Sequence, residues 1–170
     1  MKVRPMARAS LFAALMAVSA WISIPLPPVR FTLQTLAMLL ALGLLGGKWG
    51  SISIILYLLL GIVGLPVFSG FRSGVGAMLD ATGGFLWGFF LGGLGYWLAE
   101  RFGKIPGMLT FLLISYSCGV LWFLLYAPGS GLWGAATVTV FPYLLPEAVK
   151  LWLANVLVKR IKRNILTCQL

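Results

Sequence analysis

The chain has 170 residues, of which 61% are apolar and 9% are charged, and its mean hydropathy is +1.02. A soluble domain is about 45–50% apolar and about 25% charged, so this composition excludes a soluble globular domain, a disordered chain and a coiled coil. It predicts an all-α integral membrane protein with one membrane domain over residues 1–170. The net charge of +10 would suggest nucleic-acid binding in a soluble protein. In a chain this apolar it instead favours basic loops that face the cytoplasm and the anionic lipid of the bilayer.

Hydropathy divides the chain into six segments that are long enough, or nearly so, to cross a bilayer, since a membrane helix needs about 20 residues. The first resembles a signal peptide with a cleavage site at 18–20, but its apolar run continues to Ile24 and is interpreted as a span. The proline-rich stretch 25–30 cannot be helical, residues 46–50 predict a tight turn, and residues 66–82 predict a long glycine-rich loop. The predicted spans are about 7–24, 31–47, 50–65, 83–99, 106–126 and 132–158.

Basic residues set the predicted orientation of these spans. With six spans and both termini inside, ten Lys and Arg face the cytoplasm and two face outward. Five spans would place the basic C-terminal cluster outside, against the positive-inside rule, so we predict six helices with both termini inside. The inner residues are Lys2, Arg4, Arg8, Lys48, Arg101, Lys104, Lys159, Arg160, Lys162 and Arg163, and the outer ones are Arg30 and Arg72.

Two ionisable residues fall inside the last span. Glu147 and Lys150 are three residues apart and so share one helix face, and each alone would cost about 2.5–3.5 kcal/mol at a helix centre. Pro142 and Pro146 interrupt the same span. Pro146 suits the first position of a new half-helix, which would place Glu147 at a helix N-terminus. Buried charge beside a broken helix favours a binding site. The alternatives are an ion pair with a purely structural role and a simple proline kink.

Polar residues near the outer edge of the membrane are the other candidate ligand contacts. Gln34 can donate and accept hydrogen bonds at once, or it can join neighbouring helices. Asp80 or Thr82 can cap the fourth span and can also face a ligand. Arg72 can clamp an anion from outside, or it can be a solvated loop charge.

A stripe of small residues marks a packing face on the first helix. Ala9, Ala13 and Ala17 recur every four residues, and such stripes let helices approach closely. The partner is either another helix of this chain or a separate subunit, and the residues alone leave both open. A second stripe, interpreted as internal packing, lies on the fourth span at Gly84, Gly88 and Gly92.

Enzyme and metal chemistry have little support in the sequence. The chain has no His and three acids that lie far apart, which argues against a metal site and against two-carboxylate catalysis. It contains no nucleotide-binding loop and no GxSxG motif, so we expect no cofactor and no ATP hydrolysis by the chain itself. Cys118 and Cys168 lie 50 residues apart and are not expected to pair.

Five groups of residues carry a family resemblance over about residues 28–150. They are Pro-Val-Arg-Phe-Thr-Leu-Gln-Thr-Leu at 28–36, Tyr-Leu-Leu-Leu-Gly at 57–61, Gly-Leu-Pro-Val-Phe at 64–68, Thr-Gly-Gly-Phe at 82–85 with Gly-Phe at 88–89, and Pro146-Glu147 followed by Lys150. Together they resemble the BioY family, the biotin-specific S components of energy-coupling factor (ECF) transporters.

The resemblance implies a six-helix S component in the cell membrane that captures biotin from outside. A transmembrane coupling protein and two cytosolic ATPases would then drive release inward, and the alanine stripe would dock on the coupling protein. Biotin's ureido ring has two N–H donors and one carbonyl acceptor, so Glu147 can accept from an N–H and Lys150 can donate to the carbonyl. Lys150 can instead meet the biotin carboxylate.

Other functions stay open at the level of the sequence. One is an S component for another vitamin. Two others belong to different classes of protein. They are an intramembrane enzyme, such as a lipid transferase or a peptidase, and a structural membrane scaffold.

Overall fold

A computed structural model gives the positions of residues 3–24, 30–126 and 131–167, with side chains up to residue 164. This part of the chain is mostly helical, and a short antiparallel sheet is its departure from the all-α prediction. In chain order the elements are α1 (Val3–Trp21), β1 (Ser23–Ile24), β2 (Phe31–Thr32), α2 (Gln34–Ile62), α3 (Gly74–Leu79), α4 (Gly83–Ala99), a 3-10 helix (Glu100–Phe102), α5 (Lys104–Tyr126), α6 (Gly131–Thr139) and α7 (Phe141–Thr167). The proline-rich stretch predicted at 25–30 lies outside the described residues except for Arg30, and so do Lys2, Cys168 and most of a turn that Pro-Gly-Ser-Gly predicts at 128–131.

The predicted second and third spans form the two halves of α2, which are divided at Gly46. Gly46 has φ 81° and ψ 172°, a conformation that only glycine adopts readily. A Cβ atom on Gly50 would lie 2.7 Å from the Cα of Leu42, although eight residues of continuous helix would rise by about 12 Å. The chain therefore folds back at Gly46. The reversal takes place at this one residue, whereas the sequence predicted a turn over residues 46–50.

The glycine stripe of α4 is an internal packing face, as predicted. A Cβ on Gly88 would lie 2.7 Å from the carbonyl oxygen of Ser115, and one on Gly92 would lie 2.9 Å from that of Phe111. Both contacts are with α5, so the missing side chains let the two helices touch backbone to backbone.

The alanine stripe of α1 also lies inside the chain. Ala9, Ala13 and Ala17 are 0%, 2% and 7% exposed, and α1 packs mainly against α2. Of the two alternatives that the sequence left open, this burial favours internal packing over docking on a separate subunit. The opposite face of α1, which includes Leu11 and Leu15, is exposed.

The last predicted span consists of two helices, and its break differs from the prediction. α6 ends at Thr139 and α7 begins at Phe141, two helices that meet at Val140, while Pro146 lies inside α7. Pro142 lacks an N–H and would clash with the carbonyl four residues earlier if α6 continued through it, but the first turn of α7 accommodates it. The prediction that Pro146 opens a half-helix with Glu147 at its N-terminus is therefore wrong, because both residues lie in the second turn of α7.

Three of the described helices are long and apolar enough to cross a membrane, namely Gln34–Ile62 when its two halves are counted together, Lys104–Tyr126 and Phe141–Asn164. The first and fourth predicted spans correspond to α1 and α4, the fifth to α5, and the sixth to α6 with α7. The loop predicted at 66–82 differs from the expectation, because it contains the short helix α3.

Charged residues gather at two opposite ends of the helices. At one end the Arg30 guanidinium lies against Gly70, and Arg72 pairs with Asp80. At the other end the Glu100 carboxylate accepts a hydrogen bond from the Gly47 N–H at 2.6 Å. The cluster at this second end also contains Lys104 and Lys162.

Candidate functional site

A cavity opens between the first half of α2, the loop before α4, and helices α4, α5 and α7. The empty space within it, counted together with the open solvent at its mouth, is about 700 Å³. The lining residues are Arg30, Phe31, Thr32, Gln34, Thr35, Phe68, Ser69, Arg72, Thr82, Phe85, Leu86, Phe89, Ser115, Tyr116, Tyr143, Glu147 and Lys150.

The buried face of α7 supplies the two charges of this cavity. Tyr143, Glu147, Lys150, Ala154 and Val158 are all buried, and their spacing of three or four residues places them on one side of a helix. Glu147 and Lys150 are each 5% exposed. The remainder of the face is apolar and packs on the chain, so α7 is held with its charged turn directed at the cavity.

Glu147 and Lys150 form an ion pair, as their spacing predicted. The Lys150 Nζ lies 2.6 Å from the Glu147 Oε1. The same ammonium donates to the Thr35 hydroxyl at 2.9 Å and to the Thr32 carbonyl at 2.7 Å, and it lies 4.2 Å from the centre of the Phe31 ring. The Thr35 hydroxyl in turn donates to the Glu147 Oε1 at 2.9 Å.

Two buried side-chain atoms, on two residues that line the cavity, lack a hydrogen-bond partner within the described part of the chain. Among the described residues, neither the Glu147 Oε2 nor the Gln34 Nε2 has a hydrogen-bond partner, and both atoms are buried. Burial without a partner costs about 1–3 kcal/mol for each such group. A ligand that brings one donor and one acceptor would remove this cost.

Aromatic rings form the walls between the closed end and the mouth. The rings of Phe85 and Tyr116 meet edge to face, with centres 5.7 Å apart. Phe68 meets Tyr57, which does not itself line the cavity, in the same way at 5.7 Å. Phe89 is buried against α5. Walls of this kind favour a ligand whose central part is apolar over one whose central part is polar.

Arginines mark the mouth of the cavity. Arg72 is held by an ion pair with Asp80 and by a hydrogen bond to the Thr82 hydroxyl at 2.8 Å. The Arg30 guanidinium lies so close to Gly70 that a Cβ there would be 2.5 Å from the Arg30 Nη1. The mouth is therefore positive, which attracts anions.

Neither Asp80 nor Thr82 caps α4 with its side chain. Thr82 occupies the N-cap position without a side-chain cap bond, and its hydroxyl accepts from Arg72 instead. The Asp80 carboxylate accepts from the Ala81 N–H at 2.7 Å, and its carbonyl accepts from the Gly83 N–H at 2.8 Å. The predicted cap is wrong: the Thr82 hydroxyl accepts from Arg72, and the Asp80 carboxylate pairs with Arg72.

The structure brings five of the six predicted ligand contacts to one cavity, namely Glu147, Lys150, Gln34, Thr82 and Arg72. Asp80 does not line the cavity, but it forms an ion pair with Arg72, which does.

The sequence reasoning missed Thr35, Arg30 and the aromatic walls. Thr35 follows Gln34 directly, and a second polar residue in an apolar helix is a signal that could have found it. The aromatic residues carried no such signal, because aromatic residues occur throughout the chain. Among the residues that the structure describes, no group of three His, Cys, Asp or Glu is placed to hold a metal ion.

Comparison with protein families matches the BioY family over residues 1–167. The chain belongs to the BioY family. A biotin transporter BioY of Thermotoga maritima is 38% identical over 167 residues, which cover 95% of this chain and 97% of the relative. A probable biotin transporter BioY of Pyrococcus horikoshii is 34% identical over 168 residues, covering 96% and 99%.

A solved structure has the same fold as this BioY-family chain. It is the 2.1 Å crystal structure of the S-component for biotin from an ECF-type ABC transporter, and it superposes with a TM-score of 0.85 at 23% identity, covering 95% of this chain and 92% of the other. The transporter relatives and the three apolar helices show that this BioY-family chain is a membrane protein.

Proposed function

We propose that this chain captures biotin at the outer face of the cell membrane as the substrate-binding subunit of an ATP-driven ECF vitamin transporter. One observation carries the proposal. A charge-paired polar cluster lies at the closed end of an aromatic cavity, in a chain whose relatives named biotin transporters align with it over nearly their full length.

The cavity has three zones that suit the three parts of biotin. The closed end, with Glu147, Lys150 and Gln34, offers acceptors and donors for the ureido ring. The aromatic walls suit the sulfur-containing ring and the aliphatic chain. Arg30 and Arg72 at the mouth suit the carboxylate, with Asp80 and Thr82 holding Arg72 in place.

The proposal includes a multi-pass topology of six spans with both termini in the cytoplasm. Its support is the separation of charge between the two ends of the helices. The cavity opens at the end with Arg30 and Arg72, and the basic residues around Glu100 lie at the other end. By the positive-inside rule the second end faces the cytoplasm, so the cavity faces outward.

We infer that a transmembrane coupling protein and two cytosolic ATPases complete the transporter. The support is the solved structure with the same fold, which belongs to an ECF-type ABC transporter. In this proposal ATP hydrolysis takes place in the ATPases, and the chain itself is not an enzyme.

Tracer uptake tests the proposal. The chain is expressed together with an ECF coupling protein and its two ATPases in a bacterial host that lacks its own biotin uptake. We expect uptake that excess unlabelled biotin abolishes, that thiamine and riboflavin leave unchanged, and that inactive ATPases prevent. If another vitamin competes as well as unlabelled biotin does, the assignment of biotin as the specific substrate is wrong. If no uptake occurs with all partners present, the transport role is contradicted.

A further inference from the structure

Three helices meet at Gly43, near the end of the helices that lies opposite the cavity mouth. A Cβ atom on Gly43, in the first half of α2, would lie 2.7 Å from the Met108 Cε of α5 and 2.7 Å from the Val158 Cγ2 of α7. Lys104 precedes Met108 by four residues, and Lys162 follows Val158 by four. Residues four apart lie on one face of a helix. Both α5 and α7 therefore place an ammonium group one turn beyond Gly43.

These two ammonium groups lie together without a counter-charge. Lys104 and Lys162 are close enough to act on each other directly, and Glu100 is an acid near Lys162. The Glu100 carboxylate is engaged elsewhere, because it accepts from the Gly47 N–H at 2.6 Å. Among the described residues, neither lysine forms an ion pair or donates a hydrogen bond to an oxygen. Like charges at short range repel each other, so the pair favours binding of an anion.

The acidic side chains of the chain do not provide this anion. There are three of them. Asp80 pairs with Arg72 beside the cavity mouth, and Glu100 holds the turn in α2. Glu147 lies fifteen residues before Lys162 on α7, which is about 22 Å along a helix. The complementary negative charge therefore comes from another molecule.

Apolar side chains beside the two lysines indicate what kind of molecule this is. Ile105 follows Lys104, Ile161 precedes Lys162, and both isoleucines are exposed, as is Phe102. A small soluble anion would leave these side chains uncovered, whereas a phospholipid brings acyl chains next to its phosphate. Basic pockets between membrane helices bind the head groups of anionic lipids in this way.

We propose that Lys104 and Lys162 together bind the phosphate of an anionic phospholipid, whose acyl chains cover Ile105 and Ile161. Each ammonium donates to a phosphate oxygen, and such charge-assisted hydrogen bonds are stronger than neutral ones. The lipid joins the start of α5 to the end of α7, two helices that also line the cavity. The inference goes beyond the proposed function and holds whichever ligand the cavity takes.

The test measures binding of phosphatidylglycerol and of phosphatidylcholine to the purified chain in detergent by native mass spectrometry. Lys104→Gln/Lys162→Gln removes both charges of the site. Arg4→Gln/Arg8→Gln is the matched control, because it removes two exposed charges from α1, which packs mainly against α2. Lys104→Arg/Lys162→Arg keeps the charge of the site.

We expect the parent protein to bind phosphatidylglycerol more tightly than phosphatidylcholine. Each lysine should contribute about 5-fold to this affinity, so the double Gln variant should lose about 25-fold for phosphatidylglycerol and little for phosphatidylcholine. The α1 control should change the affinity by less than about 2-fold, since distant exposed charges are screened. The Arg variant should bind like the parent.

Thermal melting in bilayer discs distinguishes a lipid site from a structural role of the lysines. In phosphatidylcholine discs the double Gln variant should melt at or above the temperature of the parent, because the repulsion between the ammonium groups is gone. In phosphatidylglycerol discs the parent should melt higher, because bound lipid stabilises the folded state. Lower melting of the variant in both lipids would show a structural role and overturn the inference.

Two further results would also overturn it. One is an equal loss of phosphatidylglycerol affinity in the double Gln variant and in the α1 control, which would show attraction by the general surface charge. The other is binding of glycerophosphoglycerol, the same head group without acyl chains, as tightly as the lipid itself, because the apolar neighbours would then contribute nothing. If the double Gln variant does not fold, the single variants Lys104→Gln and Lys162→Gln decide, each with an expected loss of about 5-fold.

Discussion

The buried ammonium of Lys150 is neutralised one helical turn away by Glu147. Sequence spacing was enough to predict this pair, because residues three apart share a helix face. It could not predict the other partners, since Thr35 is 112 residues from Glu147 and Thr32 is 118 residues from Lys150. Contacts of this kind depend on how α2 packs against α7.

Removing one member of the pair should destabilise the protein. Lys150→Met leaves the Glu147 carboxylate buried without its cation, and Glu147→Gln leaves the Lys150 ammonium without its anion. Each change should lower the free energy of unfolding by about 3–5 kcal/mol and weaken biotin binding. Thermal melting without ligand, followed by binding on the folded fraction, measures both effects.

The double variant Glu147→Gln/Lys150→Met is the control for this prediction. It removes both charges, so it should regain most of the stability lost by either single variant without regaining binding. If both single variants melt and bind like the parent, the pair does not form the site.

Breaks within helices were harder to predict than the helices themselves. The sequence predicted a break near Pro142 and Pro146, and the structure divides the helices at Val140 and continues α7 through Pro146. A proline one turn into a helix removes one hydrogen bond, and membrane helices tolerate this loss where neighbouring groups compensate. Gly46, by contrast, adopts a positive φ that forces the chain to turn.

The turn at Gly46 is held by a carboxylate from another helix. The Glu100 Oε2 accepts from the Gly47 N–H at 2.6 Å, at the start of the second half of α2, where N–H groups lack helical partners. Glu100→Ala should therefore lower the free energy of unfolding by about 0.5–2 kcal/mol, as the loss of a helix cap does. Arg101→Ala, at the neighbouring exposed position, is the matched control in thermal melting. Equal melting temperatures for the two variants would contradict the capping role.

The alanine stripe gives a second prediction about the packing of helices. Ala13 is buried and Ala14 beside it is exposed, so tryptophan fits only at the second position. Ala13→Trp should lower the melting temperature strongly and reduce ligand binding, whereas Ala14→Trp should leave both near the parent values. Normal melting and binding of Ala13→Trp, together with loss of co-purification with the coupling protein, would instead support docking on this stripe.

Across the whole molecule, apolar composition and basic charge predicted a membrane protein, and family membership agrees. The composition could not predict that the cavity opens at the end with few charges, because that depends on where the loop before α4 folds back. The distribution of basic residues along the chain predicted that Arg30 and Arg72 lie on the same side of the membrane. In the structure both residues line the same cavity, at one end of the helices.

Cysteine labelling tests the orientation of the whole chain. In a variant whose two cysteines, Cys118 and Cys168, are replaced by alanine, single cysteines are placed at Val75 and at Lys48, which are both exposed. A membrane-impermeant reagent should label the cysteine at position 75 in intact cells, and should reach position 48 only after the membrane is opened. The reverse pattern would contradict the proposed topology.

Binding of biotin to the purified chain alone tests the central claim most directly. All the groups that the proposal assigns to capture belong to this chain, so titration calorimetry in detergent, without ATP or partner subunits, should show saturable binding of one biotin per chain. Glu147→Gln measured in parallel should show binding weakened by at least about 10-fold. If the well-folded parent protein shows no saturable biotin binding, the claim that this cavity captures biotin is wrong.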